Sequence, residues 1–118
     1  MNKTHANICE KLGWSVHTYQ EQDYYTNKVI KYVSLSQHSP AGEDFSFDVE
    51  DRDFANNVKE YAADYNVDDH VELWIPNRGQ RGVPSSISVL VEDAKAISSM
   101  LEDLALALCE AAAKKGGK

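Results

Sequence analysis

Near residue 51 the spacing of apolar residues changes, and that change restricts the folds open to the chain. Upstream, "EDFSFDVE" alternates, with Phe45, Phe47 and Val49 on one side and Asp44, Ser46, Asp48 and Glu50 on the other. That is the period of a half-buried β-strand. Downstream, in "DRDFANNVKEYAADYN", Phe54, Val58, Tyr61, Ala62 and Tyr65 recur at helical spacing and make one apolar stripe. A strand running straight into an amphipathic helix calls for helices laid against a sheet. Asp51 or Asp53 can cap the start of this helix, and Asn66 can end it.

The remaining elements follow from the same two periods. Residues 1–11 read as a short helix or an arm. "GWSVHTY" alternates as a strand, and "KVIKYVSLS" is apolar on both sides, which suits a central strand rather than an edge. "QHSPAG" is a loop broken by Pro40 and Gly42. "DHVELWI" returns to period two, with Val71, Leu73 and Ile75 facing inward until Pro76 stops it. After the loop "PNRGQRGVP", a long helical pattern runs through Ile87, Leu90, Val91, Ala94, Ile97, Leu101, Leu104 and Leu108, with Asp93 able to cap a second helix at a break. Residues 114–118 read as a disordered tail. The sum is β-β-β-α-β-α: one α+β domain of 118 residues with a mostly antiparallel four-stranded sheet, helices on one face and a long C-terminal helix.

Unbroken, that last helix would run about 40 Å, longer than a globule of this size requires. Met100, Leu106, Ala107 and Ala111–Ala113 also widen its apolar stripe. Two readings fit. The alanines are good helix formers, or the helix pairs with a second copy of the chain through Leu101, Leu104 and Leu108.

Charge is unevenly distributed. The net charge is −7, yet between Glu43 and Glu72 there are eleven acids and only two bases, Arg52 and Lys59. Such a chain is ill suited to a nucleic-acid backbone or an anionic membrane. No apolar run approaches the roughly 20 residues that span a bilayer, and "MNKTHANICEKLGW" lacks a secretory signal. Cys9 and Cys109 have no zinc or redox spacing and are expected as reduced thiols in a cytoplasmic protein.

Neither catalysis nor a metal or cofactor is expected. His38 and Ser39 are neighbours in a loop, but a triad is a matter of spatial geometry. No nucleophile elbow, phosphate loop or H-E-x-x-H occurs. The histidines are scattered singly, and "DVEDRD" lacks the glycine and spacing of a calcium loop. Arg78 and Arg81, among glycines ahead of a helix, suit a contact loop for protein or RNA backbone. The acids themselves are the strongest candidates. Asp44, Asp48 and Glu50 project from one side of a strand beside Glu43; Asp51 and Asp53 follow at the helix start, and Glu60 and Asp64 on its polar side. A row of fixed negative charges can imitate nucleic acid to a protein that binds it; the competing reading is a solvated face.

"SPAGEDFSF", "HVELWIPNRG" and "GVPSSISVLVEDA" together resemble small acidic accessory proteins of phages and conjugative elements of Gram-positive bacteria, of the anti-CRISPR and antirestriction kind. The resemblance spans about residues 30–108 and carries no catalytic signature. It implies a counter-defence inhibitor that binds a nucleic-acid-handling effector or its guide-RNA complex, such as a Cas9-type nuclease or a restriction enzyme. The basic channels of such an effector are what an acidic face would compete for. The alternative is a non-catalytic interaction module of a mobile element.

Overall fold

The structure, a computed structural model, describes residues 1–80 and 82–116; Arg81 and residues 117–118 lie outside the described residues. Helix α1 (Lys3–Lys11) leads into strands β1 (Ser15–Gln22), β2 (Val29–His38) and β3 (Asp44–Glu50). Helices α2 (Phe54–Asp64) and α3 (Val67–Trp74) follow, then a 3₁₀ turn at Ile75–Asn77 and helix α4 (Ile87–Gly116). Asn2 starts α1 by accepting a hydrogen bond from the amide of His5.

The strands form an antiparallel meander in the order β1-β2-β3. Leu35 pairs with Val16 and Phe47, and Val33 with Thr18 and Val49. The doubly apolar β2 is central, as its pattern requires. Val33, Leu35, Phe47 and Val49 share one core with Trp14, with Phe54 and Val58 of α2, and with Ile97, Leu101, Leu104 and Leu108 of α4. Each such side chain contributes about 1.5–3 kcal/mol on burial. Trp14 meets Phe47 edge-on at 5.6 Å, and Phe47 stacks on Tyr61 at 4.4 Å. The opposite face of the sheet stays largely open, carrying His17, Tyr19, Tyr32, Asp44, Ser46, Asp48 and Glu50.

Several expectations need correction. Among the described residues the sheet has three strands, not four, because "VDDHVELW" is helix α3. Over so short a span Val71, Leu73 and Ile75 fit period two, but Val67, Val71 and Trp74 fit the helical period equally well. The cap decides: the side chain of Asn66 accepts from the amide of Asp69 at 3.0 Å, and Asp68 and Asp69 occupy the first turn, where the helix dipole favours acids. Leu73, expected inward, is 68% exposed. Asn66 therefore starts α3 rather than ending α2.

Asp53 precedes α2 in the left-handed region (φ 59°) without a side-chain capping bond. Asn57 ties that turn instead, its amide donating to the carbonyls of Glu50 at 3.0 Å and Arg52 at 2.8 Å. Helix α4 runs unbroken through Asp93, and its 30 residues give a rod of about 45 Å. The molecule is accordingly flat and wide, 47 × 40 × 21 Å, with a radius of gyration of 15.9 Å. Leu101, Leu104 and Leu108 are fully buried in the chain's own core, so they are not free to contact a second copy. Both cysteines are free thiols; burial pushes that of Cys9 up to about 11. Among the described residues no helix is long and apolar enough to cross a membrane.

Candidate functional site

"SPAGED", "DHVELW" and the start of α4 lie far apart in sequence and meet at one end of the sheet. The turn after β2 closes on itself: Gly42 N donates to the carbonyl of Ser39 at 2.9 Å, and Ser39 N to that of Glu43 at 2.8 Å. Glu43 N donates to Ser39 Oγ at 2.9 Å. From α4, Asp93 accepts from Ser39 Oγ at 2.5 Å and from Ala41 N at 2.9 Å. From α3, His70 Nε2 lies 3.2 Å from Glu43 Oε1. The loop before α4 closes the cluster tightly: a Cβ on Gly82 would lie 2.9 Å from the carbonyl of Gly42, and Gly82 has φ +66°.

Ser39, Glu43 and Asp93 are 6%, 5% and 3% exposed, so this is a buried polar knot. Its two carboxyls are driven apart. Burial foremost, then the hydrogen bond to Asp93 and its charge, push Glu43 up to about 8. For Asp93 burial acts the same way, but bonds from Glu43, Ser39 and Ala41 and the attraction of His70 outweigh it and hold Asp93 below the usual carboxylate range. Burial lowers His70, against the pull of Asp93. At neutral pH the knot thus holds a protonated Glu43, a charged Asp93 and a neutral His70. Two buried oxygens, Glu43 Oε2 and the hydroxyl of Tyr65, receive no hydrogen bond.

Beside the knot opens a cleft of about 630 Å³ between the start of β3, the end of α2 and α3. Phe45, Tyr61, Tyr65 and Trp74 line it with His70, while Asp44, Asp64 and Asp69 are exposed on its margin. The aromatic wall is continuous: Phe45 to Tyr65 at 6.0 Å, Tyr65 to His70 at 5.7 Å, His70 to Trp74 at 6.2 Å.

The expected acid set is therefore divided. Asp44, Asp48 and Glu50 stand exposed on the open sheet face. There Tyr19 reaches over Ser34 from β1 and donates its hydroxyl to Asp48 Oδ2 at 2.7 Å, stacked on Tyr32 at 5.4 Å. Glu43 does not belong with them; its side chain turns into the knot. Asp51 is partly withdrawn too, 2.9 Å from the amino group of Met1. Asp53 and Glu60 are exposed, and Asp64 faces the cleft. Arg78 is exposed, with its Nε donating to the carbonyl of Ile75 at 3.1 Å. Among the described residues no three His, Cys, Asp or Glu side chains are placed to hold a metal ion.

Sequence reasoning missed the knot, although it left a signal. Asp93 falls three residues after Leu90 and four before Ile97, on the buried stripe of α4, and His70 lies beside Val71 on that of α3. An acid on an apolar stripe needs buried partners. Comparison of the chain with protein-family models, with curated proteins and with solved structures finds no match.

Proposed function

We propose that the chain acts by binding rather than by catalysis, as a cytoplasmic counter-defence inhibitor that engages a basic surface of a nucleic-acid-handling effector, a Cas9-type nuclease or a restriction enzyme. The observation that carries this reading is the open sheet face. Asp44, Asp48 and Glu50 project from one side of β3, Asp48 and Glu50 about 6.5–7 Å apart and Asp44 about twice that from Asp48, across Ser46, on a scaffold held rigid from behind by the phenylalanines of the same strand. Tyr19 holds Asp48 in place, and Tyr32 beside it offers an aromatic surface on which a partner's arginine can stack. Fixed charges cost little to order when a basic partner arrives.

A pulldown against Cas9–guide complexes and restriction enzymes, repeated over a salt series, tests it. Capture should weaken steeply as ionic strength rises, and the combined D44K, D48K and E50K changes should abolish both capture and inhibition. Inhibition that survives the triple reversal removes the sheet-face mechanism. The withdrawal of Glu43 and Asp51 from the surface favours a second reading, a non-catalytic interaction module of a mobile element whose remaining acids only solvate the sheet. That module would bind its partner without marked salt dependence.

A further inference from the structure

We propose that the cleft between β3, α2 and α3 is a binding site for an organic cation, a guanidinium or alkylammonium group. Its volume of about 630 Å³ lies in the range of roughly 300–1,000 Å³ common to small-ligand sites. Phe45, Tyr61, Tyr65 and Trp74 line its walls, and aromatic rings attract cations through their quadrupoles. Among the described residues no lysine or arginine lines it, and no ion pair holds Asp44, Asp64 or Asp69. His70, the only basic group lining it among the described residues, is kept neutral by burial and offers a cation no repulsion.

The oxygens open to a donor are those of Asp44, Asp64 and Asp69, which stand exposed on the cleft margin. A guanidinium presents five N–H donors in a plane and can stack on an aromatic ring while bonding sideways to oxygen. The cleft supplies both aromatic walls and marginal carboxylates; an anion would be repelled by the second, and a purely apolar ligand would leave them unused.

The site is separable from the sheet-face reading, since Asp48 and Glu50 do not line it; Asp44 and Ser46 border both. The probes are arginine amide, its uncharged isostere citrulline amide, and an end-blocked Gly-Gly-Arg-Gly-Gly peptide. Nuclear magnetic resonance reports through the two indole N–H groups. Trp74 lines the cleft and should shift on titration with arginine amide, whereas Trp14, 2% exposed in the core, should not. Citrulline amide should leave both unmoved. Replacing the two exposed marginal acids, D64N with D69N, should weaken arginine amide about tenfold without unfolding the chain. The D48K, E50K variant, which tests only the sheet face, should bind it as the wild type does. A peptide that binds as well as arginine amide identifies the source as a partner's side chain; a peptide that fails where the amide binds identifies a free small cation. An unmoved Trp74, or a citrulline response equal to that of arginine, overturns the proposal.

Discussion

Glu43 sits 5% exposed against Asp93 and His70, whereas Asp44, the next residue, stands exposed on the open sheet face at the margin of the cleft. The two are the same kind of acid one peptide bond apart, yet they answer to different physics. Water screens the exposed carboxylates, so they contribute little to folding and keep their charge for a partner. The buried pair is held by named donors, and each missing donor is expensive. On the proposed reading, binding falls to the exposed members of one acidic block and stability to the buried ones.

The largest expected effect comes from emptying the buried side of this comparison. Asp93→Ala removes the acceptor of Ser39 Oγ and of Ala41 N and strips Glu43 of its partner. A loss of about 3–5 kcal/mol is expected in urea unfolding, the usual cost of breaking a buried network on one side. A loss no greater than that of a surface substitution would show the knot to be incidental.

A second, smaller effect is in pH. Glu43 titrates near 8 in the fold and near 4.3 in an unfolded chain, so its contribution is full at low pH and declines as pH rises toward 8. His70 has the opposite sign, being lowered in the fold, and its contribution is lost only as pH falls below about 6.5. Between about pH 6.5 and 8, then, the Tm of the wild type should fall with rising pH. Glu43→Gln, whose amide donates to Asp93 as the protonated acid does, should flatten that slope. A wild-type Tm that is flat or rises over this window contradicts the assignment of the proton to Glu43.

The smallest effect belongs to the exposed side. Asp48→Ala should leave stability within the scatter of surface substitutions. Its signature is spectroscopic: the hydrogen bond to Asp48, foremost, pushes the Tyr19 hydroxyl up to about 12. Without it, that hydroxyl should titrate back toward the ordinary value near 10 in an ultraviolet titration.

The same division explains how much of the molecule was legible beforehand. Elements with a long, single period read correctly: the alternation of β3, the stripe of α2 and the centrality of β2 all stand in the structure. Helix α3 did not, because seven residues of "DHVELWI" satisfy two periods and only Asn66 settles which. The stripe of α4 leaves open a pairing of its leucines with a second copy, because periodicity does not say what covers it. In fact α1, α2 and the sheet bury Leu101, Leu104 and Leu108 completely. The exposed acids could be read from alternation alone. The knot could not, since Ser39 and Asp93 are 54 residues apart and only the fold joins them.

Helix α4 also bears on how the chain is made. Synthesis proceeds from the N-terminus at about 5–20 residues per second, so β1, β2 and β3 emerge well before the helix that covers them. The pairings of the meander are local and close early. Until Ile97, Leu101, Leu104 and Leu108 arrive, the sheet face bearing Val33, Leu35, Phe47 and Val49 lacks most of its cover. The nascent chain therefore carries a ready-made sticky surface from the emergence of β3 until α4 follows. The acids on the other side of that sheet, already charged, help to keep it in solution while it waits.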